Sequence, residues 1–177
     1  MSKNPRSIKN FVSIADYVSL GNVVSGFFSI LASIEGQAVL AMGFILLAAV
    51  FDFFDGRVAR KYNISSDFGK ELDSLCDLIS FILAPVLFAY FVGYNGWLEK
   101  SILALYVVMG TLRLARFNVT GTIDGGKFFE GVPVPVSMIL PVLYFGLEAI
   151  NAPSIIFITL FIIHGVLMIS TVKIPKP

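Results

Sequence analysis

The chain has 177 residues, of which 56% are hydrophobic and 14% aromatic, while only 14% are charged. Soluble domains usually carry about 25% charged residues, so this composition excludes a soluble enzyme, a disordered chain and a nucleic-acid-binding protein. The formal net charge of +1 points to no charged partner, and the single cysteine, Cys76, cannot form an internal disulfide. The sequence therefore predicts an all-α integral membrane protein, with residues 1–177 forming a single domain.

Residues 1–13 have the pattern of a short amphipathic helix that lies on the membrane surface. Apolar side chains at helical spacing, among them Ile8 and Val12, fall on one face. Basic side chains fall on the opposite face, at Lys3, Arg6 and Lys9. We expect this segment to lie beside the first membrane span.

Six apolar segments follow, and each is close to the roughly 20 residues that a helix needs to cross the hydrocarbon core. None shows the alternation of polar and apolar residues that is typical of a barrel strand. In chain order they cover residues 14–34, 37–60, 68–92, 97–117, 132–150 and 153–171. The predicted fold is therefore a bundle of six transmembrane helices, with membrane lipids around it.

The distribution of Lys and Arg predicts how these spans are oriented, because cytoplasmic segments are enriched in basic residues. With the N-terminus in the cytoplasm, twelve of the thirteen basic residues fall on that side, and only Lys100 falls outside. We therefore expect a multi-pass protein of the cell membrane with both termini cytoplasmic.

Acidic residues lie at the cytoplasmic ends of spans 2 and 3, where they are costly. An aspartate at a span's centre costs about 2.5 to 3.5 kcal/mol on an insertion scale, and less near the interface. With 3.6 residues per turn, the acids of each span share one helical face, and the short connection between the spans lets the two faces meet. This set consists of Asp52, Asp55, Asp73 and Asp77. Asp67, just before the second pair, is the expected N-cap of span 3.

Carboxylates from two helices form a hard oxygen-ligand set that suits Mg²⁺ or Mn²⁺. Two such ions would neutralise four carboxylates and could clamp a pyrophosphate during phosphoryl displacement. Gly56 and Gly69 leave open backbone on these faces, Ala59 keeps one face shallow, and Arg60 could contact a phosphate oxygen. Two alternatives remain: structural ion pairs with nearby basic residues, and an acid-lined metal ion channel or transporter.

The residues spell Asp52-x-x-Asp55-Gly56-x-x-Ala59-Arg60, then eight residues, then Gly69-x-x-x-Asp73-x-x-x-Asp77. This pattern resembles the complete signature of the CDP-alcohol phosphotransferase family. The resemblance implies a homodimeric membrane transferase of phospholipid biosynthesis. Such an enzyme moves the phosphatidyl group of CDP-diacylglycerol, or of an ether-lipid equivalent, to an alcohol and releases CMP.

The resemblance also implies roles for individual residues. The four aspartates would bind two metal ions, and Asp77 would be the general base. The CDP-linked lipid would contact residues of the signature and of the hairpin, namely Gly56, Ala59, Arg60 and Ser66. The stretch from Gly21 to Ser25 is similar to the family's Pro-Asn-x-x-Thr element, with glycine in place of proline, and it adds Asn22 and Ser25 to this set.

The alcohol is predicted from the segment after span 4. Arg113-x-x-Arg116-Phe117-Asn118 and Phe129-x-Gly131-x-Pro133-x-Pro135 resemble the branch of the family that uses L-serine. Arg113 and Arg116, one turn apart, could bind the serine carboxylate with Asn118 beside them. Glu130 could bind the serine ammonium group. Glycerol phosphate, inositol and choline remain alternative acceptors.

Overall fold

The computed structural model describes residues 8, 12–62, 66–123 and 125–175, and this part of the chain is mainly helical. The helices are α1 (Ile14–Ile34), α2 (Ala38–Tyr62), α3 (Asp67–Asp77), α4 (Ala84–Phe91), α5 (Trp97–Thr120), α6 (Ile139–Ala149) and α7 (Ser154–Ile169). A π-helical segment (Leu78–Leu83) joins α3 to α4, and a 3₁₀ turn (Val134–Met138) precedes α6. Strands β1 (Phe128–Glu130) and β2 (Lys173–Pro175) form an antiparallel pair.

Four helical stretches in the described residues are long and apolar enough to cross a membrane: Ala15–Ile34, Ala38–Val58, Asp67–Phe91 and Trp97–Thr120. They agree with the first four predicted spans, so the chain is a multi-pass membrane protein. The last two predicted spans correspond to shorter apolar helices, Val134–Ala149 and Ser154–Ile169. The predicted surface helix over 1–13 lies outside the described residues, apart from Ile8, Val12 and Ser13.

Helix α1 begins with a capping box. The Asp16 backbone N–H donates to Ser13 Oγ over 3.4 Å, and the Ser13 N–H donates to Asp16 Oδ2 over 2.6 Å. These bonds satisfy donors that the first helical turn leaves free, and the Asp16 charge complements the helix dipole. Helix α1 then packs along α2, where Ser29 Oγ donates to the Ala41 carbonyl over 2.9 Å.

The third span changes from α- to π-helical geometry directly after Asp77. Pro85 has no N–H, so it cannot donate to the Phe81 carbonyl one turn earlier. Ser137 Oγ, from the 3₁₀ turn before α6, donates to that carbonyl instead. On the other side Ser80 Oγ donates to the Asn22 carbonyl over 3.0 Å, and a side chain at Gly26 would clash with Ser80. The π-helical segment is therefore held from two directions, next to Asp77, the predicted general base.

Helix α7 packs against α5. The Tyr106 hydroxyl lies 3.0 Å from His164 Nδ1, and Gly165 leaves no space for a side chain beside Met109. Beyond α7 the chain returns as β2, which places Ile174 opposite Phe129 of β1. Strand β2 thus packs on the connection that leads from α5 to α6.

Candidate active site

Helices α2 and α3 bring their acidic faces together, as the helical spacing predicts. One carboxylate oxygen each from Asp52, Asp55 and Asp73 lies within 4.8 Å of the others. Asp73 Oδ1 is buried and has no hydrogen-bond partner. Three carboxylates held this close repel one another, and a divalent cation would relieve the repulsion and satisfy the free oxygen. The arrangement therefore fits a hard metal ion.

Asp77 lies beside this group, one turn further along α3. Its carboxyl group contacts that of Asp52 and accepts a hydrogen bond from Asn22 Nδ2 over 3.4 Å. The side chain is only 6% exposed. Asp77 thus borders the three-carboxylate group and faces residues of α1 as well.

Helix α1 supplies a side chain that the sequence did not single out. Ser19 Oγ donates to Asp55 Oδ2 over 2.8 Å across 36 positions of the chain. A buried polar stripe along α1, formed by Asp16, Ser19 and Asn22 at three-residue spacing, is the signal that could have revealed this contact. The stripe shows that α1 is a third wall of the acidic site.

A cavity of about 710 Å³ opens beside the acids, within the size range of small-molecule sites. A Cβ at Gly56 would meet nothing within 4 Å, whereas one at Gly69 would lie 2.8 Å from Asp16 Oδ1. Gly56 therefore leaves the α2 backbone open to a ligand, whereas the absence of a side chain at Gly69 makes room for Asp16 of α1. The cavity is lined by Ala15, Asp16, Ser19, Asp55, Gly56, Ser66, Asp67, Gly69, Lys70, Asp73 and Phe117.

Ser66 has two functions in this region. It lines the cavity, as expected of a CDP-lipid contact, and it is also the N-cap of α3, because its Oγ accepts the Gly69 N–H over 2.9 Å. The expectation that Asp67 is the cap was wrong, since Asp67 is the first residue of the helix. The backbones of Ala59 and Arg60 continue α2, and their side chains lie outside the described structure.

Arg113 is buried close to the acids. Its side chain is 4% exposed, and Nε has no hydrogen-bond partner. It lies within electrostatic range of Asp77 and Glu130, and its guanidinium carbon is 5.1 Å from the Phe117 ring centre. A buried cation with a free donor fits an anionic group of a ligand.

The other predicted ligand contacts are engaged within the protein. Arg116 donates to four backbone carbonyls at 3.0 Å each, those of Glu130, Met168, Ile169 and Ser170. The Asn118 side chain bridges Ser74 and Glu71 of α3. Ser25 Oγ donates to the Gly21 carbonyl of its own helix over 2.8 Å. These bonds give the three side chains partners within the protein, and the expectation that Arg116 and Asn118 bind the acceptor and Ser25 the CDP-linked lipid stays a prediction.

The family model for CDP-alcohol phosphatidyltransferase matches residues 12–172. A CDP-diacylglycerol–serine O-phosphatidyltransferase of Saccharomyces cerevisiae is 40% identical, with 97% of this chain and 73% of the relative covered. An enzyme of the same name from Helicobacter pylori is 38% identical, over 88% of this chain and 68% of the relative. An archaetidylserine synthase of Methanothermobacter thermautotrophicus is 38% identical, over 98% of this chain and 74% of the relative.

Proposed function

Because this chain belongs to the CDP-alcohol phosphatidyltransferase family, we propose that it transfers the phosphatidyl group of a CDP-linked lipid to the hydroxyl of L-serine and releases CMP. The names of its relatives, which include both a diacylglycerol and an archaetidyl enzyme, support serine as the acceptor. The observation that carries the proposal is the cluster of Asp52, Asp55 and Asp73 beside a cavity of substrate size. Membership of this enzyme family argues against the alternative of a metal ion channel or transporter.

Asp52, Asp55 and Asp73, with Asp77 beside them, would hold two divalent ions, Mg²⁺ or Mn²⁺. When bound, these ions supply positive charge to the pyrophosphate and to the leaving CMP. Ser19 donates to one oxygen of Asp55 and so restricts the orientation of that carboxylate. Gly56 leaves room for the CDP group beside the acids, and Gly69 lines the same cavity.

In the reaction, the serine hydroxyl oxygen forms a new bond to the phosphatidyl phosphorus, and the bond from that phosphorus to the CMP oxygen breaks. The hydroxyl proton passes to Asp77, which is buried and borders the acidic group. Arg113 binds the serine carboxylate, and Glu130, close to Arg113, contributes to the ammonium site. This division of roles keeps the acceptor on the Asp77 side of the metal site.

We also propose that the enzyme is a homodimer in the cell membrane, with one domain, six spans and the active site facing the cytoplasm. The distribution of basic residues supports this orientation. The helical segments of 16 residues at 134–149 and 154–169 are about 24 to 27 Å long, so they would cross a locally thinned bilayer. The lipid tail then stays in the bilayer while the CDP group reaches water-soluble serine.

The purified protein tests this function by CMP release from CDP-diacylglycerol with Mg²⁺ or Mn²⁺. L-serine, inositol, glycerol, glycerol phosphate and choline are supplied in separate reactions. We expect CMP and a serine phospholipid with serine alone, and loss of both when the metal is chelated. No CMP with any acceptor would overturn the transferase, and product with another alcohol would overturn the choice of serine.

A further inference from the structure

Asn118, near the end of α5, makes three hydrogen bonds to α3. Ser74 Oγ donates to its Oδ1 over 2.9 Å, and its Nδ2 donates to Glu71 Oε2 over 3.0 Å. Lys70 Nζ donates to its backbone carbonyl. The bonded residues are 44 to 48 positions apart in the sequence. We call Asn118 and these three partners the Asn118 bridge.

The position of α3 is not set by direct packing on α2, although the two helices share the acidic cluster. Within the described residues, the backbone of α3 approaches α1 and α5 more extensively than it approaches α2. The spacing between the acids of α2 and the acids of α3 therefore depends on the helices that hold α3 from its other sides. Helix α1 is one of them, and the Asn118 bridge is the hydrogen-bonded connection to the other.

The bridge restricts the rotation of α3 about its own axis. With 3.6 residues per turn, its three α3 residues share one side of the helix, and Asp73 lies roughly 100° around the helix from that side. The bonds engage two successive turns of α3, so the helix cannot rotate without breaking them. Such a rotation would move the Asp73 carboxylate away from the other two acids of the cluster.

Asp73 depends on its helix for its orientation. Its Oδ1 is buried and has no hydrogen-bond partner, and one of its carboxylate oxygens lies within 4.8 Å of those of Asp52 and Asp55. Hard divalent ions bind oxygen at short distances, about 2.0 to 2.1 Å for Mg²⁺, so a shift of about 1 Å in one ligand matters. The backbone of α3 therefore has to place this carboxylate accurately.

Resting on the metal site of the proposed function, we propose that Asn118 is a positioning residue for that site. It holds α3 in the rotation that turns Asp73 toward the other two acids, and it acts through α3 rather than on a reacting atom. Arg113 lies on the same helix as Asn118, so the bridge also ties the metal site to the proposed acceptor site. This role differs from the acceptor contact that the sequence predicts for Asn118.

The test measures Mn²⁺ binding to the purified protein without substrates, by the loss of the free Mn²⁺ signal in electron paramagnetic resonance. Asn118→Leu keeps the volume and charge of the side chain and removes both of its bonds to α3. We expect the Kd for Mn²⁺ to rise by about tenfold, the lower end of the range for groups that orient metal ligands. The kcat for CMP release should fall, with little change in the KM for serine.

An exchange of the two bonded groups tests the hydrogen bond itself. In the double variant Asn118→Asp with Glu71→Gln, the amide introduced at position 71 can donate to the carboxylate introduced at position 118. Ser74 can still donate to that carboxylate, and the net charge is that of the wild type. Because both partners are exchanged together, the Kd for Mn²⁺ should return to within about threefold of the wild-type value.

Two single variants complete the set. Ser74→Ala removes one bond of the bridge, so it should raise the Kd for Mn²⁺ by less than Asn118→Leu does, and it replaces that variant if Asn118→Leu fails to fold. Thr120→Val is the matched control, because the Thr120 hydroxyl bonds only the Arg116 carbonyl of its own helix. It should leave the Kd for Mn²⁺ unchanged.

Three results would overturn the inference. A lower melting temperature of Asn118→Leu with an unchanged Kd for Mn²⁺ would make the bridge purely structural. An unchanged Kd with a higher KM for serine would place Asn118 in the acceptor site instead. A double variant that binds Mn²⁺ as weakly as Asn118→Leu would show that the hydrogen bond is not the cause.

The proposed function can fail separately from this inference. If the wild-type protein binds Mn²⁺ but transfers nothing to serine, the choice of reaction is wrong, and the Kd values for Mn²⁺ still decide the role of Asn118. If the wild-type protein binds no Mn²⁺, the metal site and this inference are both overturned.

Discussion

Four buried side-chain atoms in the described part of the chain lack a hydrogen-bond partner: Asn22 Oδ1, Asp73 Oδ1, Arg113 Nε and His164 Nε2. Three of these residues surround Asp77. The fourth, His164, lies in the core and is bonded through Nδ1 to the Tyr106 hydroxyl. Buried polar atoms normally find partners, so the group around Asp77 is where ligand binding gains the most hydrogen-bonding free energy.

The base role of Asp77 is tested at the residue scale by Asp77→Asn. The amide keeps the size of the side chain and cannot accept the serine proton. We expect kcat to fall by about 10²- to 10⁴-fold, while the Kd for CDP-diacylglycerol changes by only a few fold. Equal losses in turnover and lipid binding would make Asp77 chiefly a metal ligand. Glu148→Gln on the exposed part of α6 is the matched control for loss of an acid.

Ser19→Ala removes the hydrogen bond that orients Asp55. Partners that orient metal ligands typically contribute 10- to 100-fold in metal affinity or activity. We therefore expect the Mn²⁺ concentration for half-maximal CMP release to rise by about tenfold or more. Ser33→Ala, which removes a buried α1 hydroxyl that bonds only its own helix at Ser29, should leave the metal dependence unchanged. An identical metal titration for Ser19→Ala would show that Asp55 needs no such support.

At the scale of elements, the π-helical segment connects Asp77, the proposed general base, to the rest of the bundle. Pro85 removes one N–H donor, and Ser137 replaces it at the Phe81 carbonyl. Ser80 ties the same segment to the Asn22 backbone. π-Helical turns are often found at functional sites, and here the turn follows Asp77 directly.

Ser137→Ala should remove the Ser137 donor from the buried Phe81 carbonyl, which costs about 1–3 kcal/mol of the free energy of unfolding. Adding Pro85→Ala restores an N–H donor, so the double variant should melt higher than the sum of the two single changes predicts. Thermal unfolding in detergent measures this coupling. Ser101→Ala, an exposed serine bonded within α5, should leave the melting temperature unchanged. Additive losses at positions 85 and 137 would contradict the explanation.

At the scale of the whole molecule, Arg116 joins segments that are far apart in sequence. Its guanidinium bonds the last carbonyls of α7 and the Glu130 carbonyl of β1, next to the strand that pairs with β2. Carbonyls at a helix C-terminus have no donors in their own helix, so an arginine there satisfies them. Arg116 therefore joins α5, the end of α7 and β1 through hydrogen bonds.

The variants Arg116→Gln and Arg113→Gln should distinguish the structural role of one arginine from the acceptor-binding role of the other. Arg116→Gln should lower the melting temperature by several degrees with little change in the KM for serine, because its donors serve backbone carbonyls. Arg113→Gln should raise the KM for serine by about tenfold or more, because Nε is free for the carboxylate. A higher KM for serine in Arg116→Gln with unchanged melting would restore Arg116 to the acceptor site.

The sequence by itself determined the membrane environment and the acidic faces of α2 and α3. Both depend on local properties, the hydrophobicity of a segment and the 3.6-residue period of a helix, which can be read without knowing the fold. The motif also identified the family, because the spacing of its acids and glycines follows from the chemistry of one site.

Only the tertiary structure decided what each polar side chain contacts. The Ser19–Asp55 and Asn22–Asp77 bonds join residues 36 and 55 positions apart, and Arg116 bonds a carbonyl 54 positions away. Arg113 and Arg116 are one turn apart on the same helix, yet one has a free buried donor and the other bonds four carbonyls. The sequence pattern does not distinguish the two arginines, because their hydrogen-bond partners depend on which helices pack together.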